Sequence, residues 1–453
     1  MNILITCIGI IIILLFFVKM RWGISIYLLF LIFVPFGGKI FGFNSEFIIP
    51  LSLILATFYN SIKRNKITKY DFTPFKPFIL LYLFLFLEII FQQDTPLMWQ
   101  FKSWEGTIAS TLILPIAMWN VSRYDNKSIK LFRNTIIIST IIIALYGLYL
   151  TTLNGDNPYI FYMAMLSGKE LREAQFGEQS NRLLIKISSV FPHPMTFGLF
   201  ISLICVYIYT LKEKIGTIIT SFIIFLLVSC IFFSGIRTPI ATLFISIALY
   251  TFMTRRIKLI FYLIFISIII YFTLNSIYPA VFETIESIFS SNNNEKIGGS
   301  SADMRIDQLL GCFTELSSNP LFGKGFGWNV YYLSSHENGH PTILYFESLI
   351  YVILCNFGLI GLIIWIWCFK KLFSTIKQLS KSRESYILLI ILIVAYLSYS
   401  LITGEYGYMK YFVLIYTLIL IEISQKCSFN HPHKYESKNN STLSTPIPSY
   451  TRK

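Results

Sequence analysis

Charge is in short supply in this chain. Only 13% of its 453 residues are Asp, Glu, Lys or Arg, about half the share usual for a soluble globular protein. Chemical signatures are missing as well. The seven cysteines, Cys7, Cys205, Cys230, Cys312, Cys355, Cys368 and Cys427, form no CxxC and no paired spacing, so nothing points to a disulfide or a zinc site. Most lie in apolar runs, and only Cys312 falls in a long polar loop. There is no GxSxG. The stretch "NPLFGKGFGWN" (319–329) has glycines and a lysine but no GK[ST] after a strand, so it is no P-loop. The long polar loops contain no acidic DxD pair, which argues against a metal-dependent nucleotide-sugar transferase. No internal repeat and no separable soluble domain is evident.

What fills the chain instead is hydrocarbon. Apolar residues make up 55% and aromatic ones 17%, and apolar runs of about 17 to 25 residues, the length of a membrane span, recur from end to end. Such spans are helices, because lipid offers no partner to unpaired backbone groups. The runs predict an all-α, polytopic transmembrane bundle of 12–13 spans, near 2–18, 22–38, 44–61, 75–92, 106–121, 132–152, 190–210, 215–233, 237–253, 258–276, 342–369, 385–402 and 409–424. The first run is followed by "FFVKMRWG" and not by small residues of a cleavage site, so it reads as a retained helix. The competing class, a large soluble helical protein, fits these run lengths poorly.

The net charge of +14 reflects topology. The clusters "SIKRNKITK", "SRYDNKSIKLFR", "LKEK", "TRRIK" and "FKKLFSTIKQLSKSR", with the basic tail, place about 26 of the 37 cations on one side, which is therefore cytoplasmic. No nucleic-acid partner is called for. Two long loops, 153–189 and 277–341, then face outward, the second lying between the tenth and eleventh spans. Residues 1–424 form the membrane domain, and 425–453, polar and rich in Ser and Pro, a disordered cytoplasmic tail.

Three polar clusters lie where helices re-enter from the outer side: 181–198, 230–244 and 334–351. Helix N-termini present free N–H groups and positive potential, so they suit anions. Pro194 and Pro239 fit the first turn of such helices. Arg237, flanked by Ser234, Gly235 and Thr238, with Arg182, Lys186 and Arg305, reads as a phosphate or pyrophosphate site. The competing explanation for Arg237 is a side chain reaching the headgroups; for the other three it is a solvated loop. His336, His340 and Glu347 open the eleventh span. His340 and Glu347, seven apart, are expected on one helix face, where a histidine or carboxylate can take a proton from a hydroxyl. Against this stand ordinary loop histidines and a glutamate that merely bonds a neighbouring helix. His193, between two prolines, reads as structural. Glu88 inside a span keeps a transporter open as a second class, although basic residues gathered on the outer face fit it poorly.

"SGIRTPIATLF", then a loop with "MRIDQ" and "SNPLFGKGFGWN", then "ESLIYVILCNFGLIGLIIW", resembles the O-antigen ligase and O-antigen polymerase superfamily over roughly residues 180–370. The resemblance implies a bacterial inner-membrane glycosyltransferase without metal, nucleotide or other cofactor. Its donor would be an undecaprenyl-pyrophosphate-linked glycan. Ligases of this kind pass the glycan to lipid A core, and polymerases pass it to the next carrier-linked repeat of O-antigen or capsule. It implies membrane lipid, a chain-length regulator and a flippase as partners. It also implies that Arg237, Arg305 and Arg182 hold the pyrophosphate. Where ligases place a histidine ahead of the "FGLIGL" helix, this sequence has Glu347, with His340 and His336 further upstream. That departure tilts the expectation to a polymerase whose bases would be Glu347, His340 and His336.

Overall fold

A computed structural model describes residues 3–40, 43–63, 70–92, 94–153, 156–167, 186–255, 302–336, 339–380, 382–404 and 409–425. Arg182, the expected span 258–276 and nearly all of the expected tail lie outside the described residues.

The architecture is helical. In chain order the helices are α1 (Ile3–Val18), α2 (Met20–Phe33), α3 (Ser45–Lys63), α4 (Lys76–Glu88), α5 (Leu97–Ile108), α6 (Leu114–Tyr124), α7 (Asn126–Leu150), α8 (Pro158–Ser167), α9 (Pro194–Thr210), α10 (Lys212–Ile215), α11 (Thr217–Phe233), α12 (Arg237–Thr254), α13 (Ala302–Leu316), α14 (Trp328–Ser335), α15 (Leu349–Leu379), α16 (Arg383–Thr403) and α17 (Met409–Gln425). One small departure from an all-α fold is an antiparallel ladder that pairs Lys39–Ile40 with Phe43–Asn44. Among the described residues, four helical segments are long and apolar enough to cross a membrane: Thr73–Phe91, Asn126–Leu153, Leu349–Leu379 and Arg383–Thr403. Five shorter apolar helices, Ile3–Val18, Met20–Phe33, Ser45–Asn60, Pro194–Thr210 and Thr217–Phe233, accompany them. α5 and α6 run into one another through a π-helical stretch at Ala109–Ile113, so the helix expected at 106–121 begins earlier, at Leu97. The two loops read as connections carry helices of their own, α8 in the first and α13 and α14 in the second.

Local chemistry sets the helix starts. Asp125 caps α7, accepting from Lys127 N–H at 3.0 Å and Ser128 Oγ at 2.8 Å. His193 caps α9 through Nδ1, which accepts from Met195 N–H at 3.2 Å, with Pro194 following where no N–H is needed. Ser348 caps α15 and Ser382 caps α16. Each such cap stabilises its helix by about 1 kcal/mol.

Helix ends that the Lys and Arg pattern puts on one side pair with one another. Arg21 meets Asp125, Arg123 meets Asp71 at 3.0 Å, and Arg383 donates to Met253 O at 2.9 Å. The buried Glu422 takes a two-pronged bond from Arg133, at 2.7 and 2.8 Å, and a further one from Lys214. Start of α7, end of α17 and the turn after α9 are thereby tied together.

The longest helix is broken. In α15, Gly358 has φ 63° and ψ −157°, outside helical geometry. The glycine-rich stretch 319–327 fills the gap. Leu359 and Ile360 N–H donate to Pro320 O and Leu321 O, both at 3.0 Å. In return, Lys324 and Gly325 N–H donate to Cys355 O and Asn356 O, at 2.8 and 3.0 Å. Gln92 Nε2 clamps both sides, donating to Phe322 O and Asn356 O. A Cβ on Gly358 would lie 2.5 Å from Leu321 O, so the contact requires glycine at this position.

Candidate functional site

The starts of α9, α12 and α15 gather at the ends opposite the paired basic ends. Gly198 of α9 lets Pro239 of α12 approach, since a Cβ there would lie 2.5 Å from the proline ring. Ser348 Oγ donates to Leu401 O of α16 at 2.8 Å, and Gly404 lies against the backbone of Phe346, Glu347 and Ser348. The segment carrying Lys186 joins the same end, because Ile187 N–H donates to Ser234 O at 3.3 Å.

Arg237 is the first residue of α12, held half-buried by a turn in which Gly235 has φ 66° and Ser234 Oγ donates to Ile231 O. Arg305 comes from α13 and Glu347 from the residue before the Ser348 cap. Arg305 Nη2 lies 3.3 Å from Glu347 Oε2, and its Nη1 donates to Glu347 O. Tyr351 Oη braces Arg305 by donating to its carbonyl at 3.0 Å. Arg237 feels both partners, repelled by Arg305 and attracted to Glu347. Two guanidinium groups and one carboxylate, from three separate elements, therefore lie within electrostatic reach of one another. Both Arg305 and Glu347 keep about a third of their side chains exposed, at 29% and 32%, so a ligand can reach them.

The histidines stand elsewhere. His340 and Glu347 do not share a helix face, because 340–348 is not helical. His340 and Leu344 bridge one another, Leu344 and Phe346 adopt positive φ, and α15 begins only at Leu349. The Ser348 cap is the reason, since it fixes the helix start after Glu347. His340 is buried, with both ring nitrogens engaged. Nδ1 accepts from Thr342 and Ile343 N–H at 3.3 and 3.1 Å, which leaves the ring proton on Nε2, 3.2 Å from Glu315 Oε1. Glu315 also pairs with Lys324 at 2.5 Å. Burial, with the charges of Lys324 and His336, holds the His340 pKa below its ordinary value, although Glu315 pulls the other way. Burial alone would raise the Glu315 pKa, but Lys324 and His340 bring it below the usual carboxylate range. His336 is exposed and stacks on Tyr332, ring centroids 4.1 Å apart. Lys186 interacts electrostatically with His193 and is not helical, while Arg182 lies outside the described residues.

Glu315 and Lys324 went unread as a pair in the sequence. Their spacing carries no motif, and Lys324 hides among the glycines of 319–327. Glu88 is buried against Gly361 with neither carboxylate oxygen bonded to a described residue. No group of three or more potential metal ligands occurs among the described residues.

Residues 222–366 match the family model described as O-antigen ligase. No curated protein matches the chain. The matched stretch contains Arg237, Arg305, His336, His340 and Glu347, with Glu315, Lys324 and the broken half of α15. With apolar helices long enough to span a bilayer around it, this stretch is similar to the O-antigen ligase family and supports the O-antigen ligase and polymerase superfamily for this membrane protein.

Proposed function

We propose that the protein polymerises undecaprenyl-pyrophosphate-linked oligosaccharide repeats of O-antigen or capsule at the outer face of the bacterial inner membrane. The observation that carries this reading is the meeting of Arg237, Arg305 and Glu347 at one end of the bundle. In the reaction an acceptor sugar hydroxyl attacks the anomeric carbon of the donor glycan. The bond from that carbon to the diphosphate oxygen breaks, and the carrier pyrophosphate leaves with the electron pair. Arg237 and Arg305 stabilise the growing negative charge, the largest single effect in catalysis of this kind. Glu347 takes the acceptor proton. Donor binding also prepares the base, because a diphosphate between the arginines competes with Glu347 for Arg305 and frees the carboxylate. His340, with both nitrogens engaged, supports the loop and takes no proton.

The test is substitution in the producing cell. Arg237→Ala, Arg305→Ala and Glu347→Ala, each present at normal level in the membrane, are expected to lower polymer about 100-fold or more. Full-length polysaccharide from all three would remove this site. The family description favours a second reading, transfer of finished glycan to lipid A core as a ligase. Loss of a polymerase leaves single repeats on the acceptor. Loss of a ligase leaves carrier-linked polymer and bare core.

A further inference from the structure

Beside Arg305, a small apolar cluster joins Cys312 and Cys355 with Trp328, Ile343, Phe346, Tyr351 and Val352. Both cysteines are fully buried as free thiols in this one cluster, and their side chains interact. Cys312 lies on α13, two helical turns after Arg305 and on the same face. Cys355 lies on the half of α15 that precedes the break, and its carbonyl receives the Lys324 N–H. Gly311 adds to the closeness of the two elements, since a Cβ there would lie 2.4 Å from Thr342 Oγ1. The elements that present Arg305 and Glu347 thus carry facing thiols behind them.

We propose that Cys312 and Cys355 close a disulfide that fixes α13 against α15 and so holds Arg305 beside Glu347. The oxidant is a disulfide of the thiol–disulfide exchange class. One cysteine thiolate attacks it, forming a mixed disulfide and releasing one thiol. The second cysteine displaces the other, so two protons and two electrons leave the pair and the oxidant disulfide becomes two thiols. Burial sets the order of events. The pair is oxidised while α13 is still docking, and the closed cluster then shields the bond from reductants. The spacing of the two cysteines gives no sign of this, because they meet only through the packing of α13 on α15. The inference rests on the outward placement of 302–355 in the proposed reading, an oxidising side of the membrane. Cys205 and Cys230, also buried neighbours, provide a contrast, since the Cys230 thiol donates to Ala144 O.

The experiment uses full-length protein purified from membranes without reductant, denatured, tagged with a maleimide reagent and mapped by mass spectrometry. Of seven cysteines, five are expected to take the tag (seven minus two), and all seven after dithiothreitol. A peptide containing Cys312 should be found joined to one containing Cys355. Cys312→Ser and Cys355→Ser should each take six tags with or without dithiothreitol. Seven tags on the untreated wild-type protein, or a crosslink between any other pair, overturns the inference. Because no glycan is involved, a joined pair in a protein that makes no polymer leaves this inference standing and removes only the proposed function.

Discussion

His340 holds a turn with one ring nitrogen and a carboxylate with the other. Replacing it with alanine leaves the N–H groups of Thr342 and Ile343 without an acceptor, at a cost of about 1–3 kcal/mol. A lower unfolding temperature of the purified protein in detergent checks this, and His340→Asn should restore part of the loss. The pH dependence has a definite sign. His340 and Glu315 both have folded pKa values below their ordinary ones, so the unfolded chain binds more protons than the folded one. The histidine contribution is complete above pH about 6.5 and fades as pH falls below it; the carboxylate contribution fades lower, through about pH 4.3. The fall in unfolding temperature from pH 8 to pH 5 should therefore be larger in the wild type than in His340→Asn. Glu347, seven residues on, has a different task because a serine cap separates it from the helix. The cap is a local feature, Ser348 before an apolar run. The seven-residue spacing nonetheless suggested a common face, since spacing alone does not say where a helix begins.

At the scale of elements, α15 and the 319–327 loop are one unit, each completing the other's hydrogen bonds. Gly358→Ala forces a side chain into positive φ and against Leu321 O, strain of at least about 1–3 kcal/mol. The expected result is a marked drop in the monodisperse fraction on size exclusion, shared by Gly323→Ala, whose Cβ would meet Gly358 N at 2.6 Å. Gly106→Ala is the comparison, since a Cβ there meets nothing within 4 Å. The glycines of this loop read as irregular structure from sequence. Their docking did not, because the bonds run backbone to backbone and any small residue writes the same pattern. Helix positions were legible for a simpler reason: apolar length is what a bilayer selects. The helices α8, α13 and α14 escaped, α8 and α14 being too short and α13 too polar to leave that mark.

Across the whole molecule, the basic ends of several helices are bound together by buried charge. Glu422 is only 4% exposed and holds both Arg133 and Lys214. Removing the only partner of a buried charge costs about 3–5 kcal/mol, so Arg133→Ala should cost less than that, Lys214 remaining. Arg133→Ala with Lys214→Ala should exceed the sum of the two single changes, read as unfolding temperature in detergent. The Lys and Arg pattern gives an expectation of which charges share a side but not of which touch, because partners such as Arg133 and Glu422 are separated by most of the chain. The break at Gly358 has a last consequence, for biogenesis. The 319–327 loop is synthesised before α15, so the strand of backbone that will mend the helix is already waiting when Leu349 leaves the ribosome. Were the order reversed, a membrane-length helix would enter the lipid with bare amides at its bend. Chain order here works as an assembly schedule, and a circular permutant that places 319–327 after α15 should be retained by the insertion machinery or degraded.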